Sequence, residues 1–338
     1  MRKFFVLVCA LVFMSSLIGW AETGKNREVV IYTSLDQIFS EPILGGFEKK
    51  TGIKVKVVYD TEAAKTAGLV NRLIAEKDNP NADVFWNNEI ARTIILKKMG
   101  LLQAYVSPES RDIPDEFKDA DGCWAGFAAR ARVLIYNTRL LSDTEAPQSI
   151  FELTGPKWKG KVTLGNPLFG TTATHFAALF VSLGAEKTKE YLSGLRENGI
   201  IVVPGNSVSR DRVVDGEVPV GFTDTDDAWM AISEGKSVKM IFPDTGGIGT
   251  LLIPNTVCLI KNCPHPEEGR QLIDYLLSKE VEEKLAFSPS MQIPLRKDVQ
   301  RPAHVPAYDS LSIMKIDFAK AADILKESSR YIQETFLQ

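Results

Sequence analysis

Apolar runs of strand length alternate with helix-length amphipathic patterns along most of this chain, and no other feature restricts its fold as strongly. Val29–Ser34 predicts a buried strand and Ile38–Lys50 a helix stopped at Gly52. Lys54–Asp60 follows as a strand in which Val55 and Val57 alternate with Lys54 and Lys56. Ala63–Lys77 predicts a helix carrying Leu69, Leu73 and Ile74 on one face. Ala82–Trp86 and Glu89–Met99 repeat the unit, the helix ending at Gly100. Two runs, Trp124–Arg130 and Val133–Thr138, then read as separate strands that interrupt the rhythm. A second series begins with strand Lys161–Gly165, helices over Thr172–Leu183 and Glu186–Glu197, and strand Ile200–Val203. Helix Ser207–Asp215, strand Val218–Thr223 and helix Asp226–Glu234 continue it. Thr256–Ile260 reads as a returning strand before helix Glu267–Leu277 and two more helices, the last over Ser310–Phe336. No Pro/Ser/Gly-rich linker divides the chain, so two lobes would be joined by ordered crossing strands, with a cleft between them.

The first 21 residues stand outside this pattern. Arg2 and Lys3 precede the apolar stretch Phe4–Met14, and small residues at Gly19 and Ala21 predict cleavage after Ala21 by a signal peptidase. Cys9 lies within the apolar stretch, too early for a lipid-bearing cysteine. Removing Arg2 and Lys3 from the 40 basic residues leaves 38 against 43 acidic ones, a net charge of −5 that gives nucleic acid no reason to bind. In an oxidising compartment the remaining Cys123, Cys258 and Cys263 permit one disulfide. Cys258 and Cys263 could close a small loop; Cys258 as a buried strand residue, with all three thiols free, is the alternative.

In a parallel α/β sheet, ligands bind beyond the carboxyl ends of strands, where helix N-termini point. The residues there are Ser34 and Asp36, then Asn88 and Glu89, then Thr171, Thr172 and Ala173, then Asn206 and Ser207, and finally Asp224, Asp226 and Asp227. Hydroxyls, amides and carboxylates dominate this set, with no histidine and little basic charge. Gly170-Thr171-Thr172-Ala173 opens a helix and offers free backbone amides as an anion seat, although an ordinary threonine N-cap explains the same residues. Three aspartates within four residues repel one another unless a cation or an ammonium group shares the site. Trp86 and Trp229 flank two of these clusters, where packing explains either. His175, His265 and His304 are scattered, and no nucleophile elbow, Walker loop or HExxH run is present, which argues against an enzyme.

Several stretches resemble the periplasmic ferric-binding proteins, solute receptors of ABC importers. These are Val29–Ser34, Gly52–Val55, Ala82–Trp86, Gly100–Leu102, Asp121–Trp124, Ala131–Asn137 and Trp158–Val162. The wider group includes receptors for thiamine, sugar phosphates and aminoalkylphosphonates. The resemblance implies an α/β, two-lobed periplasmic binding protein of type II, a Venus flytrap with the ligand cleft between lobes. Residues 28–125 plus 255–305 would form the first lobe and 130–250 plus 310–338 the second, with the last helix packed on the second. It further implies a monomer in the periplasm with an ABC permease and ATPase as partners. No cofactor is required, and Fe³⁺ is the transported ligand, with or without a synergistic anion.

The ligand positions depart from that family. Asp226 and Asp227 stand where the ferric receptors carry two tyrosines, Asp36 where some carry a histidine, and Asn88 or Glu89 at the family's glutamate. Asp36, Glu89, Asp226 and Asp227 would then be the metal ligands, a hard oxygen set suited to Fe³⁺. Thr171, Thr172 and Ala173 inherit the anion seat, and Asn206 a supporting amide. The same residues admit a zwitterion such as an aminoalkylphosphonate, its phosphonate on the helix N-termini and its ammonium on the aspartates.

Overall fold

The computed structural model describes residues 27–60 and 65–338. The expected signal segment and the start of the expected Ala63–Lys77 helix lie outside the described residues.

The chain begins with β1 (Glu28–Thr33), α1 (Gln37–Thr51), β2 (Lys54–Tyr59), α2 (Ala67–Ala75), β3 (Val84–Asn87) and α3 (Ala91–Lys98). Strand β1 lies between β2 and β3 and pairs parallel with both. Helix α1 ends where Gly52 turns left-handed at φ 72° and its amide bonds back to the Glu48 carbonyl at 2.8 Å. Short β4 (Leu102–Gln103) precedes β5 (Ala125–Asn137). The second series comprises β6 (Val162–Gly165), α4 (Gly170–Ser182), α5 (Ala185–Glu197), β7 (Ile201–Val203), α6 (Asn206–Val214), β8 (Val220–Asp224), α7 (Thr225–Ser233) and β9 (Val238–Ile241). The chain closes with β10 (Leu252–Ile260), α8 (Pro266–Leu276), α9 (Lys279–Phe287) and α10 (Phe318–Thr335).

The strand order is β2-β1-β3-β10-β5-β8-β6-β7, with β4 on β10 and β9 on β5. The two parallel groups, β2-β1-β3 and β8-β6-β7, are the two lobes of the expected fold, and antiparallel β10 and β5 run between them. Strand β5 changes partner in mid-course: through Ala131 it pairs with β10, and from Arg132 onward with β8. The two runs read separately from the sequence are therefore one strand of 13 residues, buried throughout. Arg130 and Arg132 made it look broken. Both are buried in ion pairs instead of marking a turn.

Of the two alternatives for the cysteines, free thiols with Cys258 buried in a strand is the one found, and one further expectation, the start of the last helix, needs correction. Cys258 and Cys263 are both free thiols, as is Cys123. Cys258 sits within β10, facing the Phe85 carbonyl of β3, and burial pushes its thiol well up. The last helix starts at Phe318, not Ser310, and it packs against α3 as well as α4. Asp317 starts it, its carboxylate accepting the Ala319 and Lys320 amides at 3.0 and 3.2 Å.

Candidate functional site

The carboxyl ends of β3, β6 and β8 and the N-terminal ends of α4, α6 and α7 meet at one cavity of about 30 Å³, room for an ion or one or two waters. Its lining includes Lys65, Asn88, Arg130, Thr171, Thr172, Asn206, Asp224 and Asp227. The approach is close enough that a Cβ on Gly165, the last residue of β6, would lie 2.8 Å from Asn206 Oδ1.

Asp224 ends β8 and is held from every side. Arg132 Nη1 donates to Oδ1 at 2.6 Å, and Thr171 Oγ1 and Asn206 Nδ2 donate to Oδ2 at 2.6 and 3.0 Å. Burial alone would raise its pKa, but Arg132 and Arg130 outweigh burial and hold it below the usual carboxylate range. Asp224 therefore fixes Thr171 and Asn206 in position. Asn206 also accepts from Arg132 Nη1 at 3.1 Å and Thr172 Oγ1 at 3.2 Å.

Asp226 and Asp227 behave differently. Arg130 Nη1 reaches Asp226 Oδ2 at 3.1 Å, whereas Asp227 has Thr223 Oγ1 at 3.3 Å and Arg210 Nη1 only at 3.6 Å. Burial, incompletely offset by Arg130, raises Asp226; burial and the neighbouring Asp226 push Asp227 well above the usual range. One oxygen from each of Asp224, Asp226 and Asp227 lies within 4.8 Å of the others. Two carboxyls that resist ionising together form a seat for a cation, whose charge would bring both down.

Helix α4 opens onto the same cavity. The first amides of a helix lack carbonyl partners within it. Here the Gly170 amide donates to the Lys65 carbonyl at 3.2 Å and the Ala173 amide to the Phe169 carbonyl at 3.0 Å. The seat thus consists of the Thr171 and Thr172 amides, and Ala173 contributes only buried packing.

The other expected residues are already engaged. Glu89 is fully buried: its oxygens accept the Ala91 amide at 2.6 Å, the Arg92 amide at 3.1 Å and Thr174 Oγ1 at 2.9 Å. It caps α3 and ties it to α4, with no oxygen turned to the cavity. Ser34 donates to Asn87 Oδ1 at 2.9 Å and accepts the Asn88 amide at 2.8 Å, bracing β1 against the end of β3. Asp36 is paired with Lys65 at 2.6 Å, its side chain 41% exposed. Ser207 follows Asn206 in the first turn of α6 and does not line the cavity.

Reading strand ends missed three cations: Arg130, Arg132 and Lys65. The signal for the arginines was present, because residues two apart on a strand share a face and two buried arginines require carboxylate partners. Lys65 carries no such signal, since nothing near it in sequence indicates Asp36.

Residues 45–312 match the profile of bacterial extracellular solute-binding proteins. Iron uptake protein A1 of Synechocystis is 28% identical over 293 residues, covering 82% of this chain and 79% of that protein. A Salmonella typhimurium relative bearing the name 2-aminoethylphosphonate-binding periplasmic protein is 28% identical over 304 residues, 85% and 83% of the two chains. Iron-bound HitA from Pseudomonas aeruginosa superposes with a TM-score of 0.81 at 24% identity, covering 90% of this chain and 99% of that one. The family binds solutes and does not catalyse reactions. With its two parallel lobes, crossing strands and polar cleft, the chain belongs to the bacterial extracellular solute-binding protein family.

Proposed function

We propose that this protein is the periplasmic receptor of an ABC importer for ferric iron, taken up with a small oxygen-donor anion and passed to a permease driven by its ATPase. The observation that carries this reading is the pair Asp226 and Asp227, whose oxygens lie within 4.8 Å of each other and of Asp224 beside the open end of α4, both raised by burial and Asp227 further by Asp226. Fe³⁺ is a hard cation that suits carboxylate oxygens. Asp226 and Asp227 would ligate it, with Asp36 the carboxylate that the first lobe brings up. Thr171, Thr172 and Arg130 would hold the anion, with Asn88 alongside, and Asp224 and Asn206 would keep that seat in shape. Relatives named for iron support the reading. The same proposal takes 1–21 as a cleaved export signal, 28–125 plus 255–305 as the first lobe, and 130–250 plus 310–338 as the second. The change of partner along β5 supports that division.

A second reading has its own observation. Lys65 and Arg130 line the cavity with the amides of α4, a strongly anion-attracting wall. A zwitterion with a phosphonate there and an ammonium on Asp227 uses every group, in keeping with the aminoethylphosphonate-named relative.

The deciding experiment is a thermal-shift series on metal-stripped mature protein with ferric citrate, citrate alone and aminoethylphosphonate. A ligand at about a thousand times its Kd adds about 4 kcal/mol to the folded state. A shift with ferric citrate and none with citrate is expected. A shift with aminoethylphosphonate alone overturns iron and installs the second reading, and Thr171→Val would then cost more affinity than Asp226→Asn.

A further inference from the structure

Outside the ligand site, one aromatic contact joins parts of the molecule anchored to different lobes. The rings of Trp229 and His304 stack with centroids 3.9 Å apart and planes 13° from parallel. Trp229 lies on α7, which packs on β8 and β9 of the second lobe, and it follows Asp226 by three residues, on the same helix face. His304 belongs to a segment fastened elsewhere. Upstream of it, Arg296 donates to Glu282 of α9 at 2.8 Å, to the Leu277 carbonyl at 2.7 Å and to the Glu109 carbonyl. Downstream, Tyr308 meets the Phe117 ring edge-on at 6.3 Å. Within the segment, Val305 is buried and its amide bonds to the Pro302 carbonyl at 3.0 Å. His304 itself is exposed and Trp229 half-buried. Nothing in packing the core requires these rings to meet.

We propose that the Trp229–His304 stack is a latch between the lobes, made on closure and broken on opening, which sets ligand affinity from outside the site. When the lobes swing about the crossing strands, α7 and the 296–308 segment separate, so the stack exists only in the closed state. A contact confined to one state weights that state and slows ligand escape without touching the ligand. His304 is therefore a positioning residue whose effect falls on dissociation. The inference rests on closure of the two lobes and not on the identity of the cargo.

The test compares His304→Ala with His304→Tyr, which restores a stacking ring, in the full mature protein. Trp86, Trp124 and Trp158 are buried, so among the described tryptophans acrylamide quenching reports on Trp229. Without added ligand, His304→Ala should be quenched more strongly than wild type and scatter X-rays as a more expanded particle, while His304→Tyr should match wild type. With ferric citrate as probe, dissociation should be about two- to tenfold faster in His304→Ala, with association unchanged and recovery in His304→Tyr. Unaltered quenching and scattering in His304→Ala, or a tyrosine variant that behaves like alanine, overturns the latch. If wild type does not bind ferric citrate, the iron reading fails alone, since the ligand-free measurements still decide the latch.

Discussion

Two buried arginine–carboxylate clusters flank the crossing strand β5, and they differ in a way that separates structure from function. In the first, Glu282 and Arg296 pair at 2.8 Å with side chains 0% and 1% exposed. Glu282 also accepts the amides of Ala128 and Leu295, both at 2.9 Å. Charges match one to one, and both carboxylate oxygens are filled from within the protein. In the second, Arg130 and Arg132 face Asp224, Asp226 and Asp227, and the match fails on the carboxyl side. Asp226 and Asp227 are pushed upward, whereas buried arginine nitrogens without a partner among the described residues occur in both clusters, Arg296 Nε in the first and Arg130 Nε and Arg132 Nε and Nη2 in the second. A buried charge costs several kcal/mol unless it is paired and hydrogen-bonded. The first cluster meets that requirement internally, as a strut must. The second keeps carboxyl groups in reserve beside an open cavity, as a binding site must.

Breaking each cluster should therefore have opposite consequences. Glu282→Gln leaves Arg296 buried and unpaired and loosens Ala128, which already holds a left-handed φ of 40° in mid-strand. The expected cost is about 3–5 kcal/mol in urea unfolding, with ferric affinity retained in the folded fraction. Asp227→Asn should do the reverse. It removes a carboxyl whose charged form burial and Asp226 disfavour, so the ligand-free protein should unfold at a higher temperature at pH 7. Ferric binding, measured by titration with ferric citrate, should weaken by about a hundredfold, close to 2.7 kcal/mol. Equal losses of stability in both variants would erase the distinction between strut and site.

The same contrast explains what the sequence disclosed. Alternating apolar runs made the α/β layers legible, because Val29, Ile31, Val84 and Leu164 are buried where their periodicity puts them. Position beyond a strand end brought Thr171, Thr172, Asn206, Asp224 and Asp227 together, because helix N-termini converge there in any such sheet. What strand ends do not reveal is pairing between distant residues. Asp224 looked like a free acid until Arg132, 92 positions earlier, was placed against it. Glu89 looked like a ligand but spends its oxygens on α3 and on Thr174. The break expected inside β5 has the same origin, since the charge of its arginines is cancelled by partners that only the folded sheet supplies.

The smallest of these effects, a pH dependence, tests whether the carboxyl reserve is real. Asp227 is raised, so the folded protein keeps a proton over a range beginning near pH 4, where the unfolded chain has lost it. Unfolding then releases a proton, and stability must fall as pH rises through that range and level off above it. Asp224, held below its ordinary value, works in the opposite sense: its contribution is present at neutral pH and is lost only as pH falls through the depressed value. Cation binding must expel the Asp227 proton, so affinity should rise with pH by at most about tenfold per unit for each proton displaced. Calorimetric titration in buffers of different ionisation enthalpy counts those protons directly. In Asp227→Asn the fall in unfolding midpoint between pH 4 and pH 7 should flatten, while in Glu282→Gln it should persist on a lower baseline; a slope unchanged by Asp227→Asn would mean that this carboxyl is not the one held in reserve.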